Sequence, residues 1–134
     1  MKQLLLIIII IFLVLDSGPA IAEWAEVGFS KSYGGYTVYA DPSTIRYRSG
    51  LVKMWTLYNY KTVRTDAGFS YLSRKTQQQY DCAETRYRFL SETYFSGNMG
   101  NGDEVYTNSY ERKWEPVAPA SVGLALWELA CGKK

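Results

Sequence analysis

The chain has 134 residues, with 15 Lys+Arg against 13 Asp+Glu and no histidine. A net charge of +2 is too small for a nucleic-acid binder or a polybasic membrane module, and the lack of His excludes serine–histidine and cysteine–histidine hydrolases and most zinc sites. Aromatics make up 16% of the residues and charged residues 21%, a composition that buries surface, and the length allows one small domain.

Lys2 precedes an unbroken apolar run from Leu4 to Leu15. That run has the length of a signal-peptide core, whereas a bilayer-spanning helix needs about 20 residues. Asp16 ends it, Gly18 and Pro19 break the helix, and Ala20-Ile21-Ala22 places small residues where a signal peptidase reads them. Cleavage is expected between Ala22 and Glu23, leaving 1–22 as signal peptide and 23–134 as the domain. The alternative is an uncleaved N-terminal anchor. No cysteine near the cleavage point offers a site for lipid attachment.

After Ala22, Gly and Asn/Asp clusters punctuate runs rich in Tyr, Val, Thr and Trp, the pattern of an antiparallel sheet. Strands are predicted at Trp24–Ser30, Tyr36–Ala40, Thr44–Arg48, Leu51–Tyr60, Phe69–Asp81 and Glu84–Phe95. Tyr33-Gly34-Gly35, Asp41-Pro42-Ser43, Ser49-Gly50 and Asp66-Ala67-Gly68 read as turns. In Leu51–Tyr60 both parities are apolar, with Leu51, Trp55 and Leu57 on one and Val52, Met54, Tyr58 and Tyr60 on the other. Such a strand is central and covered on both sides. One cover is expected to be a C-terminal helix, the other a second copy or a partner.

A tight turn around Cys82-Ala83 would set Asp81 opposite Glu84, Gln79 opposite Arg86, Gln77 opposite Arg88 and Lys75 opposite Leu90. The other face then carries Leu72, Thr76, Tyr80, Tyr87, Phe89 and Phe95, and Cys82 turns toward that core side. A one-residue slip would exchange the faces.

The helix is predicted after Pro116 and Pro119, with Ser121 as N-cap and Val122, Ala125, Leu126 and Leu129 on one face. Glu128 lies opposite, Gly132 is the stop, and Lys133-Lys134 suit the negative end of the dipole. Export to an oxidising compartment favours pairing Cys82 with Cys131 over a free thiol, closing a loop of about 50 residues.

Candidate chemistry is sparse. The glycines of Gly97-Asn98-Met99-Gly100-Asn101-Gly102 run opposite to a dinucleotide fingerprint and no helix follows, so a mobile loop is expected. Asn98, Asn101, Asp103 and Glu104 miss the alternate spacing of a calcium loop. Glu84, Glu92, Asp103 and Glu104 are the carboxylates a glycosidase would draw on, but nothing sets two of them across a cleft. No catalytic, metal or cofactor residue is assigned, and a non-enzymatic protein is expected. Arg-Tyr-Arg occurs twice, at Arg46-Tyr47-Arg48 and Arg86-Tyr87-Arg88. In strands this puts the arginines on one face and the tyrosines on the other. The second pair, with Lys75 nearby, forms either a solvated sheet face or a patch for an acidic partner.

Tyr39-Ala40-Asp41-Pro42-Ser43-Thr44-Ile45 followed by Val52-Lys53-Met54-Trp55 resembles the surface-adhesin protein E family of Gram-negative bacteria. So do Tyr80-Asp81-Cys82, the segment from Tyr94 to Gly100, Trp114-Glu115-Pro116-Val117, Ser121-Val122-Gly123 and the ending from Leu126 to Cys131. The resemblance implies a sheet packed on a C-terminal helix, a Cys82–Cys131 disulfide, dimers, and adhesion to host extracellular-matrix and plasma proteins. The combined expectation is an exported α+β protein with a single antiparallel sheet of about six strands, one C-terminal helix and one disulfide, located in the periplasm or at the cell surface. Its expected role is non-enzymatic binding of matrix or plasma proteins or an acidic polysaccharide, through Arg46, Arg48, Lys75, Arg86 and Arg88. A soluble periplasmic protein that binds a small ligand or inhibits an enzyme is the alternative.

Overall fold

The computed structural model describes residues 22–66 and 68–132. The signal-peptide expectation, apart from Ala22, and the closing Lys133-Lys134 lie outside the described residues. Strands β1 (Ala25–Ser30), β2 (Tyr36–Arg48), β3 (Leu51–Asp66), β4 (Phe69–Asp81), β5 (Arg86–Phe95) and β6 (Glu104–Asn108) form an antiparallel meander in chain order. A short β7 (Glu115–Pro116) pairs with the start of β5, and helix α1 (Val122–Cys131) closes the described chain.

The β2–β3 hairpin shows why this sequence turns where it does. Arg48 pairs with Leu51, so only Ser49 and Gly50 connect the strands. Both have positive φ, 52° and 80°, as the twist-matched two-residue hairpin turn requires. Asp41-Pro42-Ser43 is a correction to the expected turn. β2 runs through it, and the register jumps between Asp41 and Arg46. The Asp41 carboxylate accepts from Ser43 N at 3.1 Å and Ser43 Oγ at 2.6 Å, folding a local loop into the strand as a bulge. β6 and β7 were not foreseen; they are short edge strands without a clean alternation, and Pro116 suits such an edge.

The β4–β5 register also departs from expectation. Asp81 pairs with Arg86 and Gln79 with Arg88, two residues further along β5 than predicted, because the turn spans Cys82 to Thr85 and Thr85 takes a positive φ of 49°. A two-residue shift preserves parity, so the expected face near the turn survives. A bulge between Gln77 and Gln78 then takes in Leu90, and Gln77 pairs with Ser91. Beyond it the faces of β5 exchange. Glu92 and Tyr94 join the face of Thr76 and Arg74, and Phe95 moves to the opposite one.

Helix α1 lies across β1 to β4. Ser121 caps it, Oγ accepting from Leu124 N at 3.1 Å, and Gly132 ends it at a φ of 68°. Gly28 allows this approach, since a Cβ there would come within 3.2 Å of Val122. The buried stripe is Leu126, Trp127, Ala130 and Cys131, rotated from the predicted face, and Leu129 is exposed. Two anchors set that rotation. Trp127 Nε1 donates to Asp81 O at 2.9 Å, and Cys131 joins Cys82 across a Cα separation of 5.7 Å. The stripe packs on Val38, Ala40, Val52, Met54 and Tyr80, each large apolar side chain contributing about 1.5–3 kcal/mol on full burial.

The second face of β3 is covered in part by the chain itself. The glycine-rich loop is pinned there, not free. Gly97 O accepts from Ser73 Oγ at 2.6 Å, Gly100 N donates to that Ser73 Oγ at 2.9 Å, and Asn98 Nδ2 donates to Tyr60 O at 2.8 Å. Leu57 is fully buried beneath this loop.

Candidate functional site

Cross-strand pairing builds the basic face. Directly opposed residues share a face, so Arg46, Lys53, Gln79 and Arg88 form one row across β2 to β5, and Arg48, Leu51, Asp81 and Arg86 the next. The two Arg-Tyr-Arg triplets therefore lie on one side of the sheet, about 14 Å apart at the usual strand spacing. Their environments differ. Arg46 and Arg48 are exposed and, with Leu51, Lys53 and Gln79, border a shallow hollow of about 420 Å³. Arg88 lies over the Trp114 ring at 4.2 Å and pairs with Glu111 at 3.0 Å. Arg86 lies over the same ring and pairs with Asp81 at 2.9 Å. Burial works to raise the Asp81 carboxyl, but Arg86 and the N–H groups of Glu84 and Ala83 hold it below the ordinary range.

Lys75 does not sit beside the second triplet. It pairs with Leu57 and Thr93 and rests over Trp55 at 4.9 Å. Tyr87 turns to the helix side, as the alternation requires, and packs edge-on against Phe89. Tyr47 also has the parity of that side, opposite Val52, but it is 62% exposed.

The helix side of the sheet holds a second feature, an open cavity of about 330 Å³ between β2–β5 and the start of α1. Tyr36, Tyr58, Tyr87 and Phe89 wall it, with Val122 and Leu126 on the helix side. Gln78 lies in its lining and is fully buried. Its Nε2 donates to Tyr58 OH at 2.7 Å, and its Oε1 accepts from Tyr80 OH at 2.6 Å. Burial pushes the Tyr58 and Tyr80 hydroxyls up, so both stay protonated. Arg74 also lines the cavity, over Tyr58 at 4.5 Å. Its Nη1 reaches Glu92 at 3.4 Å, while its buried Nε has no acceptor among the described residues. Glu92 is itself buried and also accepts from Arg112, Tyr94 and Asn108.

Residues 24–132 match the family model described as surface-adhesin protein E. The chain belongs to that family. Its fold is similar to the crystal structures of Haemophilus influenzae protein E. Crystal form II gives a TM-score of 0.58 at 11% identity, over 85% of this chain and 92% of that one. A second H. influenzae structure gives 0.57 at 11% identity, over 87% and 90%, and protein E from a non-typeable strain gives 0.52 at 10%, over 85% and 78%. No curated protein matches the chain in sequence.

Within this protein E fold the carboxylates do not gather at the cavity. Among the described residues none lines it, although Glu115 accepts from the lining Tyr87 at 3.1 Å, Glu92 is enclosed by its arginines, and Glu84, Asp103 and Glu104 are exposed. Sequence reasoning missed Lys53, Trp114, Arg74 and Gln78. Lys53, Arg74 and Gln78 were readable from parity, since Lys53 shares the face of Leu51 and Trp55, and the other two share the face of Thr76 and Tyr80. Trp114 precedes β7 and carries no periodic signal.

Burial pushes Tyr60 up to about 12, against the pull of Arg74, and burial with the Glu115 carboxylate does the same for Tyr87. In the unfolded chain both ionise near pH 10. Between about pH 10 and 12 the folded state therefore binds more protons than the unfolded one, and stability falls as pH rises. Urea midpoints are expected to be level up to about pH 9 and to drop steeply by about pH 11.5. A level midpoint across that range would refute the buried-tyrosine account.

Proposed function

We propose that this protein E family member is an exported, non-enzymatic adhesin that binds acidic segments of host extracellular-matrix or plasma proteins through its basic sheet face. The observation supporting this is the register that lines up both Arg-Tyr-Arg triplets in two adjacent rows. Arg46, Arg48 and Lys53 form the open end, where guanidinium groups meet carboxylates in bidentate fashion. Arg86 and Arg88 form a stiffer end, oriented by Trp114. A second copy has less to cover than the sequence suggested, because the pinned glycine-rich loop already buries Leu57.

Binding to immobilised matrix protein is expected to weaken as salt rises, since screening shortens to about 8 Å at physiological ionic strength. Changing Arg46, Arg48, Arg86 and Arg88 to Ala is expected to lower affinity by tenfold or more, an effect on the order of 1.4 kcal/mol or larger. The R46A/R48A pair carries most of it, because among the described residues the ion pairs of this face fall on Arg86 and Arg88 and not on these two. The fold should persist, as Asp81 keeps the N–H groups of Ala83 and Glu84. A folded quadruple variant that binds as before at every salt concentration would leave the face merely solvated. Binding only to a sulfated polysaccharide would replace the protein partner. Protease treatment of whole cells tests display, since an adhesin must be cleaved from outside while a periplasmic protein is protected.

A further inference from the structure

The cavity beside α1 is separate from the basic face and plays no part in the adhesin reading. Its charge arrangement singles out a class of ligand. Arg74 and Arg112 share one carboxylate, Glu92, so the cluster carries one uncompensated positive charge. Arg112 is partly exposed and water can solvate it, whereas Arg74 faces the cavity. Arg74 Nε is a buried donor with no acceptor among the described residues, a state that ordinarily carries a free-energy cost. Tyr58 accepts from Gln78 and borders Thr56, and its hydroxyl on the cavity wall can turn its own proton toward a ligand there. Around these donors the walls are aromatic and aliphatic, and the volume of about 330 Å³ is in the range of small-ligand sites.

We propose that this cavity binds a small organic monocarboxylate, its carboxylate held by Arg74 and Tyr58 and its apolar body placed against Phe89, Val122 and Leu126. A planar carboxylate matches the guanidinium fork, and a single negative charge matches the single uncompensated positive one. A dianion such as phosphate would leave excess negative charge in a low-dielectric site. The start of α1 forms part of the rim, and its positive dipole end favours the same sign of ligand.

The test is a nitrogen–proton correlation NMR titration of the mature chain with phenylacetate and with its uncharged isostere phenylacetamide. Phenylacetate should move the Gly123 amide and the Gln78 side-chain resonances saturably, and phenylacetamide should bind about tenfold more weakly or worse. Tyr58→Phe should weaken phenylacetate several-fold. Arg74→Met should abolish binding, and its fold should survive because Glu92 keeps Arg112, Tyr94 and Asn108. Equal binding of acid and amide, or no shifts up to about 10 mM, overturns the proposal. So does undiminished binding by folded Arg74→Met. Shifts confined to Arg46, Arg48 and Lys53 would place the carboxylate on the basic face and overturn the cavity assignment while leaving the adhesin reading intact. Should Arg74→Met fail to fold, Tyr58→Phe and the acid–amide ratio decide.

Discussion

Replacing Cys82 and Cys131 together by Ala is expected to destabilise the protein by about 4 kcal/mol. The two cysteines are 49 residues apart, and the link between them removes about that much chain entropy from the unfolded state. The native state needs little adjustment to accommodate it. Cys82 follows the end of β4 and Cys131 sits in the last turn of α1, with Cα atoms 5.7 Å apart. Trp127 Nε1 still reaches Asp81 O in the variant, so the helix has a second tether and the fold should form. For a domain of this size the loss amounts to a fall in melting temperature on the order of 15–20 °C. Reducing the wild-type protein should reproduce the shift. Guanidinium unfolding gives the check, and a change below about 1 kcal/mol would mean that the bond constrains nothing the fold does not already hold.

How much of this was legible beforehand depended on whether the signal was local. The hairpin at Ser49-Gly50, the limits of β4, the Ser121 cap and the Gly132 stop all follow from residue types next to one another in the chain. So does the antiparallel character of the sheet. Bulges were hidden. Nothing at Leu90 announces that the register with β4 slips there, yet that slip turns Glu92 inward and Phe95 outward. Asp41-Pro42-Ser43 has the composition of a turn, and the strand passes through because the Asp41 carboxylate satisfies the loop from within. The rotation of α1 was hidden for another reason. The spacing of Val122, Ala125, Leu126 and Leu129 is helical, but only the distant partners Cys82 and Asp81 decide which stripe turns inward. The basic face was legible as two triplets. Their alignment with Lys53, and the stacking of Trp114 on Arg86 and Arg88, needed the pairing of four strands. The cavity depends on parity along β4 together with the path of the chain into α1.

The cluster that the hidden bulge creates leads to the second large effect. Glu92→Gln is expected to destabilise the protein by about 3–5 kcal/mol. Glu92 is 3% exposed and accepts from Arg74, Arg112, Tyr94 and Asn108. Glutamine keeps the shape and removes the charge. Arg112 can then turn its guanidinium to solvent, but Arg74 is hemmed in by Tyr58, Phe89 and Tyr94 and stays inside as an unpaired cation. Leaving one ion of a buried pair behind is what makes such changes severe. Arg112→Gln should cost about 1 kcal/mol or less, because Glu92 keeps Arg74 and two neutral donors and the lost partner was half in water. Arg74→Met combined with Glu92→Gln should recover much of the loss, since neither buried charge remains, and the coupling between the two sites should exceed about 1 kcal/mol. Urea unfolding of the wild type, Glu92→Gln, Arg74→Met and the double variant closes the cycle, with Arg112→Gln measured beside them. If Glu92→Gln costs no more than Arg112→Gln, Arg74 is solvated after all, and the cavity loses the uncompensated charge on which its ligand was inferred.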